Sequence, residues 1–454
     1  MKKLLALLLA LTMLLGLAAC GAKEEAAQTP VDTEESSAVQ EETAEEAEVV
    51  EETEEKESVT IEAFIVATEW QDNWDEMESR FEEQYPWIDI QAVGDAANGA
   101  TFIASRQATD DLPALVMLDN NETWRLLVDE GKIMDISGQP ACANVPQSYL
   151  DAFTYDGVTM GITHGSAFST MFYNMQQLNA AGWDAPPANW EELLQCCADL
   201  EAAGYVPLTV AGAKTTTMWM LFELIIANEV GDELGQGVYE EQFMNGTFDF
   251  TAYPGLVSKL DALLPYFLQG SATLTEDDTV AVMAEGSAAM CIAGNWYAAP
   301  ILDAIAECTG DASMGAASLP PFQSEGEACW ISVSPETAIG ITLDEDRTEA
   351  EQEAVEIFFN WYFQPENFCL VQNMAGTVPV LTNMTEDLIV LPEQITAIIS
   401  DMSAAPYVKM GFNLWTAEFS DVACTALKDC LGGNGTAQDA VDAMWNTLQS
   451  SHVN

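Results

Sequence analysis

Basic side chains are scarce in this chain: 13 Lys and Arg stand against 74 Asp and Glu, and the only histidines are His164 and His452. A formal charge of −61 repels nucleic acid and most anionic solutes, because the field raises the energy of any polyanion that approaches. Two imidazoles in the whole chain do not suffice for a histidine-rich zinc centre, so no metal and no cofactor is expected. Regular cysteine spacing is missing too. After Cys20 come Cys142, Cys196, Cys197, Cys291, Cys308, Cys329, Cys369, Cys424 and Cys430, an odd number with no repeating interval, which does not make a disulfide framework. Cys196, Cys197 and Cys291 sit in apolar runs and read as small core residues. No G-x-S-x-G, H-E-x-x-H or phosphate-loop pattern occurs, and no fixed-period repeat is visible.

What is present begins at the N-terminus. Lys2 and Lys3 precede an apolar run from Leu4 to Ala19, too short to span a bilayer comfortably, which ends Leu17-Ala18-Ala19-Cys20-Gly21. Positive charge, length and the small residue before the cysteine resemble a bacterial lipobox, in which the thiol is acylated before cleavage. Residues 1–19 are thus expected to be a lipoprotein signal peptide, with Cys20 the lipidated first residue of the mature chain. From Glu24 to Glu57 there are 15 acidic residues and one base, Lys56, with almost no large apolar side chain. Such a stretch cannot offset the entropy of ordering, so residues 20–57 are expected to form a disordered spacer between membrane and domain. A flexible coil of that length spans roughly 30 Å, and self-repulsion extends it.

The remaining chain, with nine basic and 59 acidic residues, is long enough for two lobes. "VTIEAFIVAT" (59–68) reads as a buried strand. A helix follows, with Asn73 as N-cap and Trp74, Met77, Phe81 and Tyr85 near one face. "WIDIQAV" and "PALVML" read as further strands, and a helix from Glu122 stops at Gly131. The alternation returns in "NWEELLQCCADLEAAG", "YVPLTVAG" and "TMWMLFELIIANEVG", with helices expected at 255–268, 296–308, 348–363 and 436–449, the last opened by Thr436 and Asp439. Strand–helix repetition of this kind implies an α/β fold with parallel sheet and right-handed crossovers.

The order of segments resembles that of the family 1 extracellular solute-binding proteins, sugar-capturing components of ATP-driven importers. It is carried by "SRFEEQYPWIDIQAV", "DDLPALVMLDNNETWRLLVDEGKIMDIS", "YDGVTMGI" followed by "TMFYNMQQLNAAGWDAPPANWEELL", "MAEGSAAMCIAGNW", "FFNWYFQPENFCLVQNMAGTVPV" and "ALKDCLGGNGTAQDAVDAM". Two departures are local: Ala114 replaces the usual Asp after proline, and "THGSAFST" replaces the commoner Pro-aromatic start of the crossing strand. The resemblance implies a two-lobe periplasmic-binding-protein-like fold with a hinge and an interlobe ligand cleft. Matching segments give lobe 1 as 58–167 and 331–385, and lobe 2 as 168–330 and 386–454. It also implies an extracellular monomer that hands a carbohydrate to membrane permease subunits, and the lipid anchor with its long spacer suits an envelope of Gram-positive type.

A sugar site needs flat apolar rings for the C–H faces of a pyranose and a polar partner for each buried hydroxyl. Glu69 and Trp70 follow the first strand, where the family places ligand contacts. Asp119, Asn120 and Asn121 follow the third, a position rich in hydroxyl-binding groups in the maltose-binding protein. Trp296, with Asn295 before it, and Trp415 match stacking tryptophans of the family. Thr216 lies in a loop expected to face the cleft, and Trp330 and His164 lie near the crossings. His164 reads more readily as a satisfied buried histidine than as a ligand residue, and Trp219 as core of a largely apolar helix. Trp74, Trp87, Trp124, Trp190, Trp361 and Trp445 fit core faces of helices or strands. A polyamine or betaine receptor with an aromatic cage is the alternative. A surface glycoside hydrolase with two carboxylates ranks behind both, since the segment order does not yield eight βα units.

Overall fold

The computed structural model describes residues 56–451 except 66–73, 95–98, 119–121, 236, 336, 376–377, 410–413 and 415. Its strands are β1 (Val59–Phe64), β2 (Ile88–Val93), β3 (Leu115–Leu118), β4 (Thr154–Tyr155), β5 (Val158–Thr159), β6 (Ile162–Thr163), β7 (Gly165–Asn174), β8 (Leu208–Val210), β9 (Met290–Gly294), β10 (Gly315–Ser318), β11 (Ile331–Pro335), β12 (Ala338–Ile341), β13 (Val378–Pro379) and β14 (Tyr407–Lys409). They build two main sheets, one in the order β2-β1-β3-β12-β6 and one in the order β14-β11-β7-β9-β8, while β4 and β5 form a small hairpin.

In the first sheet β1 runs parallel to β2 and β3, as the strand–helix alternation requires, whereas β12 returns antiparallel to β3. The helix Trp74–Gln84 buries Trp74, Met77 and Phe81 against it, the stripe legible in the sequence. Phe81 meets Phe358 and Trp361 of the helix Glu349–Tyr362 edge-on, so the two helices lock over the same core. In the second sheet β8 and β9 are parallel, and β7 lies antiparallel to β9 and β11. The helix Thr215–Leu234 is sunk in this lobe: its residues from Thr217 to Ala227 are all buried, which explains a run apolar on every face. Trp219 is fully buried there, as the apolar run implies.

Local chemistry sets the element ends. Asn189 caps the helix Trp190–Ala202 by accepting from Glu192 N at 2.9 Å, and Thr436 and Asp439 exchange capping bonds at the start of the helix Ala437–Ser451. The helix expected over 255–268 is shorter. It ends at Leu263 and tightens into a 3-10 turn, because Pro265 has no N–H to continue the ladder. The one expected from 296 begins at Ala298, leaving Asn295–Tyr297 as a separate 3-10 turn. All nine cysteines after Cys20 are free.

The chain passes between the sheets between β6 and β7, at His164, and again between β11 and β12. A third passage follows Leu381, which packs with the first sheet, and reaches Ile395 of the helix Glu393–Ala404, which packs with the second. Between the first two passages the backbone N–H of His164 donates to Thr337 O at 3.1 Å.

Candidate functional site

The C-terminal ends of β8 and β9 lie on the side of the second sheet that faces the crossings. Gly294, the last residue of β9, pairs with Ser169, four residues from where β7 leaves the crossing, or roughly 13 Å of strand. Ligands of open α/β folds bind at such strand ends.

Trp296 stands in the 3-10 turn just after β9 and is half-buried. Its indole lies against Gly294, where an added Cβ would come 2.2–2.4 Å from Cζ3, Cη2 and Cε3. Near-equal distances to three consecutive ring atoms put the glycine under the face of the six-membered ring. The indole Nε1–H donates to Glu276 Oε1 at 3.2 Å, and Lys214 Nζ forms an ion pair with the other carboxylate oxygen. Lys214 also lies 5.8 Å from the Trp296 ring centroid. It caps the helix that carries Thr216, which is half-buried in the first turn. The next residue in the turn, Tyr297, donates to Asp277 at 2.9 Å. Trp296, Lys214, Glu276 and Thr217 therefore form one cluster at the edge of the second sheet, with Thr216 next to Thr217 in the first helical turn.

Asn295 is fully buried, and its Oδ1 accepts from Phe168 N at 2.8 Å. That bond ties the end of β9 to the start of β7, so the residue supports the cluster from behind.

Trp330 stands apart. Its indole rests on Gly231, with Cδ2, Cγ and Cε2 at 2.2–2.6 Å from an added Cβ, and its Nε1–H donates to Asp232 at 2.7 Å. Asn228 bonds both its N–H and its carbonyl. Gly231 is 17 residues along the same helix from Lys214, about 25 Å at the helical rise. β11, which follows Trp330, reaches the crossing with its opposite end. The structure thus seats Trp330 at the far end of the second lobe, away from Trp296.

His164 is buried in the crossing. Nδ1 lies 2.9 Å from Thr337 O and Nε2 lies 2.8 Å from Tyr362 Oη, while Phe368 stacks at 5.8 Å with an interplanar angle of 13°. A carbonyl can only accept, so Nδ1 carries the proton and Nε2 accepts from the tyrosine. Burial depresses its pKa to about 3, partly offset by the bond to Thr337, and the ring is neutral at physiological pH. Both nitrogens of His164 are thus engaged inside the core at the crossing.

Cys20, Glu69, Trp70, Asp119, Asn120, Asn121 and Trp415 lie outside the described residues. Sequence reasoning missed Glu276 and Glu223. Glu276 reads as an ordinary first-turn acid after the N-cap Thr275. Glu223 is buried in an apolar helix, where Ser332 Oγ donates to it at 2.8 Å, and burial pushes its carboxyl up to about 8. No local pattern distinguishes either one.

A groove on the outer side of the first sheet, lined among others by Tyr85, Arg347, Glu356 and Asn360, competes for attention. Two of its central polar side chains already have partners. Arg347 donates to Thr342 O and Gln352, and Asn360 bonds Gln139, Ala141 N and Glu356 O. A ligand there would have to displace bonds already made, so the groove is the weaker candidate.

The chain belongs to the bacterial extracellular solute-binding proteins, whose family pattern matches residues 76–397. Among solved structures, a chitin oligosaccharide binding protein superposes with a TM-score of 0.74 at 17% identity, covering 87% of this chain and 100% of that one. The solute-binding protein RafE in complex with raffinose gives 0.72 at 17% identity, with 87% and 100% covered. A sugar transporter from Bacillus licheniformis in complex with stachyose gives 0.68 at 15% identity, with 86% and 100% covered. At such identities these neighbours share the fold, the two-lobe periplasmic-binding-protein-like architecture. No curated protein matches by sequence. Among the described residues no helix is long and apolar enough to cross a membrane.

Proposed function

We propose that the protein captures a neutral carbohydrate between its two lobes, one built on the β2-β1-β3-β12-β6 sheet and the other on the β14-β11-β7-β9-β8 sheet, and delivers it to the permease of an ATP-driven importer. One observation carries this reading: an indole seated flat on Gly294, its N–H bound by Glu276, beside the strand ends of the second sheet. A flat, oriented aromatic face is what the C–H side of a pyranose needs. Structural neighbours that carry raffinose and stachyose support oligosaccharides as the class to test first. Lys214 near the same ring supports a neutral ligand over a cationic one, because it already supplies a positive charge where an ammonium would stack. Glu69, Trp70, Asp119, Asn120, Asn121 and Trp415 are the remaining contacts we assign, and we assign no catalytic role.

The test is Trp fluorescence and calorimetric titration of the purified protein with raffinose, stachyose, maltose and chitin oligosaccharides, beside spermidine and glycine betaine. A saturable response to one sugar in the micromolar range, about −8 kcal/mol, is expected. Trp296→Ala should then weaken it at least thirtyfold, about 2 kcal/mol, the contribution of roughly 80 Å² of apolar contact. Silence toward every sugar with a response to spermidine or betaine would install the cationic reading instead.

Cys20 is the proposed lipid anchor on the extracellular face, with residues 20–57 as anchor and spacer, and the protein is proposed to work as a monomer. Cys20→Ala should move the protein from the membrane fraction to the medium of an expressing cell. Retention with membranes would defeat that assignment.

A further inference from the structure

We infer that Glu276 is a positioning residue for the Trp296 indole, and through it for the sugar ring stacked there; the second half rests on the carbohydrate reading above. Two torsions orient a tryptophan side chain, and two contacts determine them here. Gly294 supports the face of the six-membered ring, and Glu276 Oε1 takes the indole proton at 3.2 Å. Removing either contact frees the ring to sample other rotamers.

Glu276 can do this because it is itself held from several sides. Its side chain is 13% exposed. Its backbone opens the helix Glu276–Ala284, whose N-cap Thr275 and third residue Asp278 exchange bonds at 3.1 and 3.0 Å. Lys214 takes Oε2, and Thr217 Oγ1 approaches Oε1 at 3.5 Å. The carboxylate thus joins three elements: the start of the Thr215–Leu234 helix, its own helix and the turn after β9. A carboxylate suits this post better than an amide, since it accepts from the indole and from the ammonium at once. A platform already oriented before the ligand arrives loses less freedom on binding.

Gly294 offers a second, independent handle. Its φ of −73° and ψ of 154° suit any residue, so Gly294→Ala strains no backbone, and the three atoms nearest the added Cβ all belong to the Trp296 ring.

The experiment isolates the Trp296 contribution in ligand-free protein by subtracting the spectrum of Trp296→Phe made in each background. In Glu276→Ala this component should shift to the red and its iodide quenching constant should rise at least twofold. Glu276→Gln, which retains one oxygen for the indole but none for Lys214, should shift less than Glu276→Ala. Gly294→Ala should reproduce the red shift with Glu276 intact, and it keeps the inference testable if Glu276→Ala does not fold. Affinity for raffinose, stachyose and chitotetraose is then measured on the same proteins. Glu276→Ala should weaken the sugar that binds at least tenfold, and Glu276→Gln less than threefold. Unchanged emission and affinity in Glu276→Ala, while Trp296→Ala abolishes binding, overturns the inference and leaves the carbohydrate reading standing. Unchanged sugar affinity in Trp296→Ala removes the carbohydrate reading and with it the stacking role, and the emission data decide separately whether Glu276 holds the ring.

Discussion

Replacing His164 by alanine should lower stability by about 4 kcal/mol, read as an earlier urea midpoint with an unchanged slope. Part of the loss is the cavity left by a ring packed against Phe363 and Phe368. The rest is the buried Tyr362 hydroxyl, which loses its acceptor at 2.8 Å and would stay unpaired in the core. The effect concentrates at the hinge, because the same ring joins the β6–β7 crossing to Thr337 of the β11–β12 crossing. His164 also sets an acid limit. Unfolded, it takes a proton below pH 6.5, whereas the folded ring resists until about pH 3. Between those values the unfolded chain binds more protons, so the histidine's share of stability falls as pH falls through the window. At about 1.4 kcal/mol per unit the full loss is on the order of 4–5 kcal/mol. His164→Phe should abolish that share of the acid slope; an unchanged slope would show that the ring does not titrate as its burial implies.

Glu223 should act in the opposite sense and with similar size. Burial raises its carboxyl from 4.5 to about 8, the bond from Ser332 and the nearby Trp219 indole oppose this, and nearby Glu240 adds to the rise. Tyr239 and Glu240 approach from the helix Val238–Met244, while Glu240 itself accepts from Lys409 N of β14 and from Gly237 N. Between pH 4.5 and about 8 the folded protein keeps a proton that the unfolded chain has lost, so stability declines as pH rises through that window. The total is on the order of 4–5 kcal/mol. Glu223→Gln keeps the shape and an acceptor for Ser332 but cannot ionise. It should match the parent near pH 4.5 and exceed it by several kcal/mol above pH 8. An identical pH profile in the variant would mean that the group ionises inside the fold at little cost.

These two windows overlap from pH 4.5 to 6.5, where the contributions should nearly cancel. The decline above pH 6.5 should therefore vanish in Glu223→Gln alone, and the part below pH 4.5 in His164→Phe alone.

Much of the architecture was legible before any coordinates. Period and capping mark the helix Trp190–Ala202 through Asn189 and the helix Ala437–Ser451 through Thr436, because these signals act within one turn of chain. The apolar run around Trp219 declares a buried helix for the same reason: no solvent-facing stripe interrupts it. Charge was legible at its coarsest, since a net −61 excludes polyanions whatever the fold.

Side-chain partners far apart in the chain were not. Trp296 and Trp330 look alike in sequence, each an indole beside a strand, yet they settle near opposite ends of one helix because Lys214 and Gly231 are 17 residues apart along it. Glu276 gains its partners only when β8, β9 and the turn after β9 come together. Glu223 becomes a high-pKa group only once Ser332, more than a hundred residues later, closes over it. Composition, periodicity and capping are local quantities, and the sequence carries them whole. Which indole is clamped, which carboxyl is dehydrated and which imidazole bolts the hinge depend on burial and on contacts between distant residues, and those exist only in the packed molecule.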